Sequence, residues 1–301
     1  MFSGDPNEDA ESLDPVDEIA LRLHWTVVNR THLLLYIVLP VIALVFLTTC
    51  VRCFDLDLRI SRLFFNAEAS RFPELDARQW LVLYRYGPIP GLIMGISATA
   101  MFVASFAWHR LRAFREPCAL VALLLALGPG LLVNGLLKPS WDRPRPCELT
   151  EFGGSEDFVP VLNLREASEH RSKSFPSGHA SMGFYLLAPI FIRTRSSRRW
   201  SLTFLVIGLS LGIAMGVGRV AQGSHFASDV LWSGAIVYFT GLVLAYVLPP
   251  ASQEISTEAS NDRDLAAEPS VFRLDEYRES VDRENNTPET RIRDAPKRRA
   301  A

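Results

Sequence analysis

Three short clusters of polar residues lie beside long hydrophobic runs in this 301-residue chain. They contain Lys138 and Arg145, then Ser177, Gly178 and His179, and then Arg219, His225 and Asp229. Cations and the free amides at the start of a helix can hold a phosphate group. One imidazole can attack phosphorus while a second protonates the leaving oxygen. The residue types therefore predict phosphoryl transfer.

The spacing within the clusters supports this chemistry. His225 and Asp229 are four residues apart, which puts both on one face of a helix. The carboxylate can then orient one ring nitrogen and leave the other free to attack. Ser177 is a good N-cap, Gly178 leaves its amide open to close approach, and His179 projects from the first turn beside a bound anion.

Each cluster also has an ordinary explanation. Lys138 lies in a basic loop that could meet lipid headgroups, and Arg143 beside it either aids substrate binding or faces solvent. Ser177 could cap an ordinary helix, and His225 with Asp229 could be a surface pair. Three incidental clusters on one side of a membrane are a poorer explanation than one site, so we favour the site.

The elements that must position these residues are membrane spans. The chain is 49% hydrophobic and has a mean hydropathy of +0.14 although 21% of its residues are charged, so the charge must be segregated. A span needs about 20 mostly apolar residues. Six segments qualify: 32–52, 88–108, 117–137, 177–192, 200–217 and 228–248. The sequence predicts an all-α, polytopic six-span transmembrane bundle over residues 32–249, although the fourth segment is short and polar at its start. Gly208, Gly212 and Gly216 predict a face for close helix packing.

Arginine-rich loops predict the orientation of the bundle. Loops 110–115 and 193–199 carry several arginines each, which is typical of cytoplasmic loops. The five arginines of loop 55–87 oppose this assignment, but acids are mixed among them. Both termini are then cytoplasmic, and all three clusters lie on the outer face. Residues 1–31 form a cytoplasmic segment with a possible interfacial helix, and 250–301 read as a disordered cytoplasmic tail.

The remaining composition says little about cofactors. No Cys and His residues have metal-ligand spacing, so we expect no metal and no cofactor. A disulfide from Cys147 to Cys50 or Cys53 is permitted by compartment but not required by spacing. We expect no nucleic-acid partner, and the oligomeric state stays open.

The clusters resemble the three-part signature of the type 2 phosphatidic acid phosphatase and vanadium haloperoxidase superfamily. That signature is Lys-x6-Arg-Pro, then Pro-Ser-Gly-His, then Ser-Arg-x5-His-x3-Asp, and here Gly218 replaces the usual serine. The resemblance implies a helical bundle with a metal-free site at the outer membrane face. It implies that His225 is the nucleophile, Asp229 orients it and His179 protonates the leaving group. The phosphate would be held by Lys138, Arg145, Ser177, Gly178 and Arg219.

The resemblance favours a lipid phosphatase in the bacterial inner membrane, with its site facing the periplasm and a phosphohistidine intermediate. The expected substrate is a lipid phosphate of the bilayer: phosphatidate, phosphatidylglycerophosphate, an isoprenyl pyrophosphate or lipid A. The outer loop 147–158 weakly resembles that of lipid A phosphatases. A lipid phosphotransferase using the same site remains an alternative. A vanadate-dependent peroxidase or a non-catalytic anion-binding membrane protein fits less well.

Overall fold

The computed structural model describes residues 34–164, 172–192 and 198–248. Apart from two isolated β-bridges, every regular element in these ranges is helical, which confirms the all-α class. The main helices are α1 Leu39–Cys53, α2 Leu56–Phe64, α3 Arg78–Tyr86, α4 Ile89–Ala107, α5 Arg115–Leu125, α6 Gly178–Phe184, α7 Arg198–Ala221 and α8 Ala227–Val247. Short 3₁₀ segments occupy Pro73–Asp76, His109–Phe114, Pro146–Glu148 and Thr150–Phe152. The predicted N-terminal segment 1–31 and tail 250–301 lie outside the described residues.

Five helical stretches in the described ranges are long and apolar enough to cross a membrane. They are Leu35–Cys53, Arg78–Ala107, His109–Glu148, Arg199–Ala221 and Ala227–Val247. Their lipid-facing sides are rich in exposed apolar side chains, for example Phe46, Ile96 and Val206. A bilayer makes that exposure favourable, because its hydrocarbon core needs apolar surface against it. The chain is an integral membrane protein.

The predicted fourth span has a different form. Seven residues of α6 are followed by seven residues of 3₁₀ helix, Tyr185–Phe191. At rises of about 1.5 and 2.0 Å per residue, the two together reach about 25 Å, less than the hydrocarbon thickness of about 30 Å. Ala180, Tyr185 and Ala188 are fully buried, so neighbouring helices surround this segment. The total of six spans stays a prediction.

Glycine contacts hold α6 tightly against α7. A Cβ on Gly183 would lie 2.6 Å from the Cα of Gly212, and a Cβ on Gly208 would lie 2.8 Å from the backbone nitrogen of Leu187. Gly216 meets Val230 of α8 in the same way. The predicted small-residue packing face is confirmed. Gly183 of α6 contacts Gly212, whereas Leu187, in the 3₁₀ segment that follows α6, contacts the earlier residue Gly208. This segment and α7 are therefore antiparallel, and the start of α6 lies beside the end of α7.

A π-helical stretch carries α5 onward to the first cluster. It spans Ala126–Leu137 and contains Pro129, which has no N–H to donate. The side-chain amide of Asn134 donates to the carbonyl of Pro129 at 2.7 Å. The helix then continues over Lys138–Trp141, so Lys138 emerges where Asn134 approaches the start of α6.

A small second core lies over this end of the bundle. The buried side chains of Phe72, Leu149, Phe152 and Phe226 form one apolar cluster, and the rings of Phe72 and Phe152 are 5.5 Å apart. Phe226 precedes α8 directly, so this cluster fixes the turn between α7 and α8. The four cysteines are all free thiols in the structure.

Candidate active site

The third cluster folds as a tight turn between α7 and α8. The backbone N–H of His225 donates to the carbonyl of Arg219 at 3.3 Å, and Gly223 adopts a φ of 66° that favours glycine. Asp229 accepts the backbone N–H of Phe226 at 2.9 Å, so its carboxylate caps the first turn of α8. The turn buries the imidazole and the carboxylate together, at 2% and 0% exposure.

His225 and Asp229 face each other, but His225 lies in the turn before α8 and not on a shared helix face as their spacing predicted. The distance from His225 Nδ1 to Asp229 Oδ2 is 3.6 Å, longer than a hydrogen bond but close enough to orient the ring. Such catalytic contacts often tighten only when substrate binds. Burial lowers the pKa of His225, and the neighbouring carboxylate opposes that shift. A neutral imidazole with Nδ1 towards Asp229 leaves Nε2 as the nitrogen available for attack.

A buried arginine holds the other side of the Asp229 carboxylate. Arg143 donates from Nη1 to Asp229 Oδ1 at 2.5 Å and from Nη2 to Asp57 Oδ2 at 2.8 Å. The same Nη1 reaches Ser228 Oγ at 2.8 Å. Arg143 is 0% exposed, so the expectation that it could face solvent is wrong. Its planar guanidinium bridges two carboxylates and fixes the one beside His225.

Two residues that surround this buried carboxylate and its arginine were not predicted from the sequence. Ser174 donates its hydroxyl to Asp229 Oδ2 at 2.6 Å, and Asp57 accepts the backbone N–H of Ser228 at 3.0 Å. Asp57 comes from α2, far away in the chain, and no spacing links it to Arg143 or Asp229. Only its position in a short helix between two predicted spans could have drawn attention to it.

The second cluster opens α6 as expected. Ser177 is the N-cap and accepts the backbone N–H of Ala180 at 3.5 Å, which confirms the predicted cap. The backbone N–H of Ser177 donates to the carbonyl of Asp229 at 3.3 Å, which joins α6 to α8. Gly178 is buried so close to Asn134 that a Cβ would lie 2.7 Å from its Oδ1. His179 is half-buried and stacks on Tyr84, with ring centroids 4.2 Å apart.

The predicted cations gather around the two histidines. Lys138, Arg145 and Arg219 lie within electrostatic range of one another, and His179 lies within range of Lys138, Arg219 and His225. In the described ranges, four buried side-chain nitrogens have no hydrogen-bond partner: Trp141 Nε1, Arg145 Nε, Arg219 Nε and His225 Nδ1. Three of these belong to predicted site residues. Gathered cations with unused donors suit a bound anion such as phosphate.

The site brings cationic side chains together with a buried carboxylate. Across the described ranges, no group of three or more His, Cys, Asp or Glu side chains could hold a metal ion. The buried carboxylate beside His225, Asp229, already pairs with Arg143. Lys138, Arg145 and Arg219 lie near one another as cationic side chains beside the histidines.

The unusual glycine in the third motif has a structural reason. A Cβ on Gly218 would lie 2.7 Å from Cε3 of Trp80, so the indole of α3 occupies the space of a side chain there. Trp80 is held by its Nε1, which donates to Glu74 Oε2 at 2.7 Å. Since the clash is with a ring packed against the helix, a serine at 218 would displace α3.

Comparisons with known proteins agree with this geometry. The family model described as the PAP2 superfamily matches residues 119–252. The chain is similar to a lipid A 4'-phosphatase of Francisella tularensis subsp. novicida, with 31% identity over 197 residues that cover 63% of this chain and 85% of that protein. A lipid A 4'-phosphatase of Rhizobium etli is 35% identical over 121 residues, covering 40% of this chain and 46% of the relative. A phosphatidylglycerophosphatase B of Bacillus subtilis is 27% identical over 138 residues, covering 44% and 58%. No solved structure matches the chain.

Proposed function

This chain belongs to the PAP2 superfamily, and from that premise we propose that it hydrolyses the phosphate of a membrane lipid, without a metal, through a phosphohistidine at His225. The relatives are named as phosphatases of lipid phosphates, and the chain is an integral membrane protein. One observation carries the mechanism. His225 is buried beside the Asp229 carboxylate, and cationic side chains with unused N–H groups surround it.

The first step transfers the phosphoryl group to the enzyme. The lone pair of His225 Nε2 forms a bond to phosphorus while the bond from phosphorus to the lipid oxygen breaks, and protonated His179 gives its proton to that oxygen. Burial and the neighbouring cations lower the pKa of His179 to about 4 in the free site, so the negative charge of the bound phosphate is what favours its protonated form. Asp229 keeps the ring of His225 in orientation and balances the charge that it gains. Lys138, Arg145 and Arg219, with the hydroxyl of Ser177 and the amide of Gly178, stabilise the charge on the equatorial oxygens.

The second step releases inorganic phosphate. Neutral His179 takes a proton from water as the water oxygen bonds to phosphorus, and the bond from phosphorus to His225 breaks. Both histidines then return to their starting protonation states. If an alcohol of a second lipid replaced water in this step, the same site would act as a phosphotransferase.

The substrate we favour is a phosphate group of lipid A type, because relatives named as lipid A 4'-phosphatases align with the chain. Phosphatidate, phosphatidylglycerophosphate and isoprenyl pyrophosphates carry the same reacting group. A protein that only binds anions would need the cations, but it would not need a histidine oriented by a buried carboxylate. The membrane-spanning helices argue against a soluble peroxidase.

We place the site on the periplasmic face of a bacterial inner membrane, with both termini in the cytoplasm. The arginine-rich loops at 110–115 and 193–199 support this orientation. In this orientation Lys138, the start of α6 with His179 and the turn after α7 with His225 share the outer side of the membrane. A lipid headgroup on that face would reach the site from the bilayer surface.

The test is a phosphate-release assay with purified protein and four lipids in detergent micelles: lipid A, phosphatidate, phosphatidylglycerophosphate and undecaprenyl pyrophosphate. We expect one of them to release inorganic phosphate, and a denaturing quench to trap phosphate on His225. His225→Ala should abolish both signals. His109→Ala is the matched control, because His109 is exposed and far along the chain from all three clusters. Folded His225→Ala protein that keeps most of the activity would overturn the mechanism, and transfer to an added lipid alcohol without phosphate release would identify a phosphotransferase.

A further inference from the structure

An aromatic residue from outside the three motifs touches two of their side chains. Tyr84, on α3, stacks against the imidazole of His179 with ring centroids 4.2 Å apart and planes 26° apart. The guanidinium carbon of Arg219 lies 4.7 Å from the centroid of the same ring. Tyr84 thus connects the second cluster to the third.

The helix that carries Tyr84 is itself fixed to the end of α7. Trp80 packs against Gly218, where any side chain would clash with the indole. Gln222, which is 2% exposed, donates to the carbonyl of Leu75 at 3.2 Å and accepts from Arg219 at 2.8 Å. One contact from α3 and one from the 3₁₀ turn directly before it therefore fix this segment to the end of α7, and the place of the Tyr84 ring follows from them.

The two histidines of the site differ in what orients them. His225 faces the carboxylate of Asp229, whereas no carboxylate in the described part of the chain pairs with His179. An imidazole that delivers a proton to a leaving oxygen must hold its donor nitrogen in place, because small misplacements of a reacting group are costly. The stacked ring of Tyr84 is the contact that restricts the tilt of His179.

We propose that Tyr84 is a positioning residue for leaving-group protonation: its ring, anchored by Arg219, holds the imidazole of His179 in the orientation that delivers the proton. This inference rests on the proposed function, in which His179 is the general acid. The ring is the functional part and the hydroxyl is not, because stacking and the cation–π contact both use the aromatic face.

The leaving group provides a signature that a purely structural role would not show. An alkoxide leaves poorly without a proton, whereas p-nitrophenolate leaves well without one. Tyr84→Ala should therefore lower kcat about tenfold to a hundredfold on whichever of lipid A and phosphatidate is turned over. On p-nitrophenyl phosphate the loss should be only a few-fold. Tyr84→Phe should recover most of the lipid activity.

Matched variants separate the possible outcomes. Tyr86→Ala is the control, because Tyr86 lies on the same helix and is 55% exposed. His179→Ala, run in parallel, should show the same leaving-group dependence in stronger form. Vanadate should inhibit Tyr84→Ala at a concentration within about threefold of the parent's, since the phosphate-binding cations remain.

Three results would overturn the inference. Equal loss on both substrates would mean general disruption, and loss in Tyr84→Phe as large as in Tyr84→Ala would assign the effect to the hydroxyl. If Tyr84→Ala were as active on the lipid as the unmodified protein, Tyr84 would have no role in the reaction. If the loss of activity in His179→Ala does not depend on the leaving group, the assignment of His179 as the acid in the proposed function fails as well. If the loss depends on the leaving group in His179→Ala but not in Tyr84→Ala, only the role of Tyr84 is rejected.

Discussion

Two carboxylates share the buried Arg143, and only one of them touches His225, so their amide variants should separate stability from catalysis. Asp57 and Asp229 each bond to the guanidinium, at 2.8 and 2.5 Å. The other groups bonded to these carboxylates are also donors. Ser228 donates its backbone N–H and its hydroxyl to Asp57, and Asp229 accepts the hydroxyl of Ser174 and the backbone N–H of Phe226. Asn at either position would direct its amide NH₂ towards a donor whichever way it is flipped.

The expected loss of stability is similar for the two variants. Each removes one of the two negative charges that balance Arg143, which is 0% exposed. Removing one partner of a buried ion pair costs about 3–5 kcal/mol. Catalysis should differ, because only Asp229 lies 3.6 Å from His225 Nδ1. Loss of that orienting charge should lower kcat by about a hundredfold or more in Asp229→Asn.

The assay measures the unfolding midpoint in detergent and kcat for phosphate release on the same preparations. We expect matched decreases in the midpoint, with kcat of Asp57→Asn staying within about tenfold of the parent. Equal losses of kcat in the two variants, measured on folded protein, would mean that Asp229 acts only by supporting the fold. Asp229→Asn within twofold of the parent would refute its orienting role outright.

Three further predictions concern the phosphate pocket and the topology. Activity should survive EDTA and be blocked by vanadate, because the proposed mechanism holds the phosphoryl group with cationic side chains; loss in EDTA that a divalent ion restores would contradict this. Gly178→Ala should lower kcat about tenfold, since the new Cβ would lie 2.7 Å from Asn134 Oδ1. Adding Asn134→Ala should recover part of the activity, and no recovery would reject that clash as the cause. Cysteines at Ser155 and Ser196, in a background without native cysteines, should react differently with an impermeant thiol reagent once the outer barrier is removed. Labelling at 155 alone is expected, and labelling at 196 alone would invert the topology.

The motif residues could be predicted from sequence because their geometry is local. His225 lies in the turn just before α8 and Asp229 lies in the first turn of that helix, so the local chain path into α8 brings them together. Ser177 caps α6 for the same reason, and the glycines of α7 mark a packing face that needs no knowledge of the partner. Apolar run length predicted five of the spans, since crossing a bilayer depends on length and composition.

The remaining features depend on contacts between distant segments. Asp57 reaches Arg143 across 86 positions, and neither residue has a local pattern that names the other. Tyr84 reads as an ordinary interfacial aromatic until α3 is seen against His179. The fourth predicted span was placed by hydropathy, but tertiary burial of residues such as Tyr185 permits a shorter, partly 3₁₀ segment than lipid contact would.

The departure at Gly218 connects these two kinds of information. Read alone, a glycine in place of serine before Arg219 removes one hydroxyl from the motif. In the structure that position is occupied from the other side, because Trp80 fills the space where a Cβ would lie. The same helix then brings Tyr84 to His179 and Arg219. The absence of a side chain at Gly218 thus leaves room for Trp80, and with it for α3, to pack against the end of α7. That packing allows the contacts of Tyr84 with His179 and Arg219, which the motif does not encode.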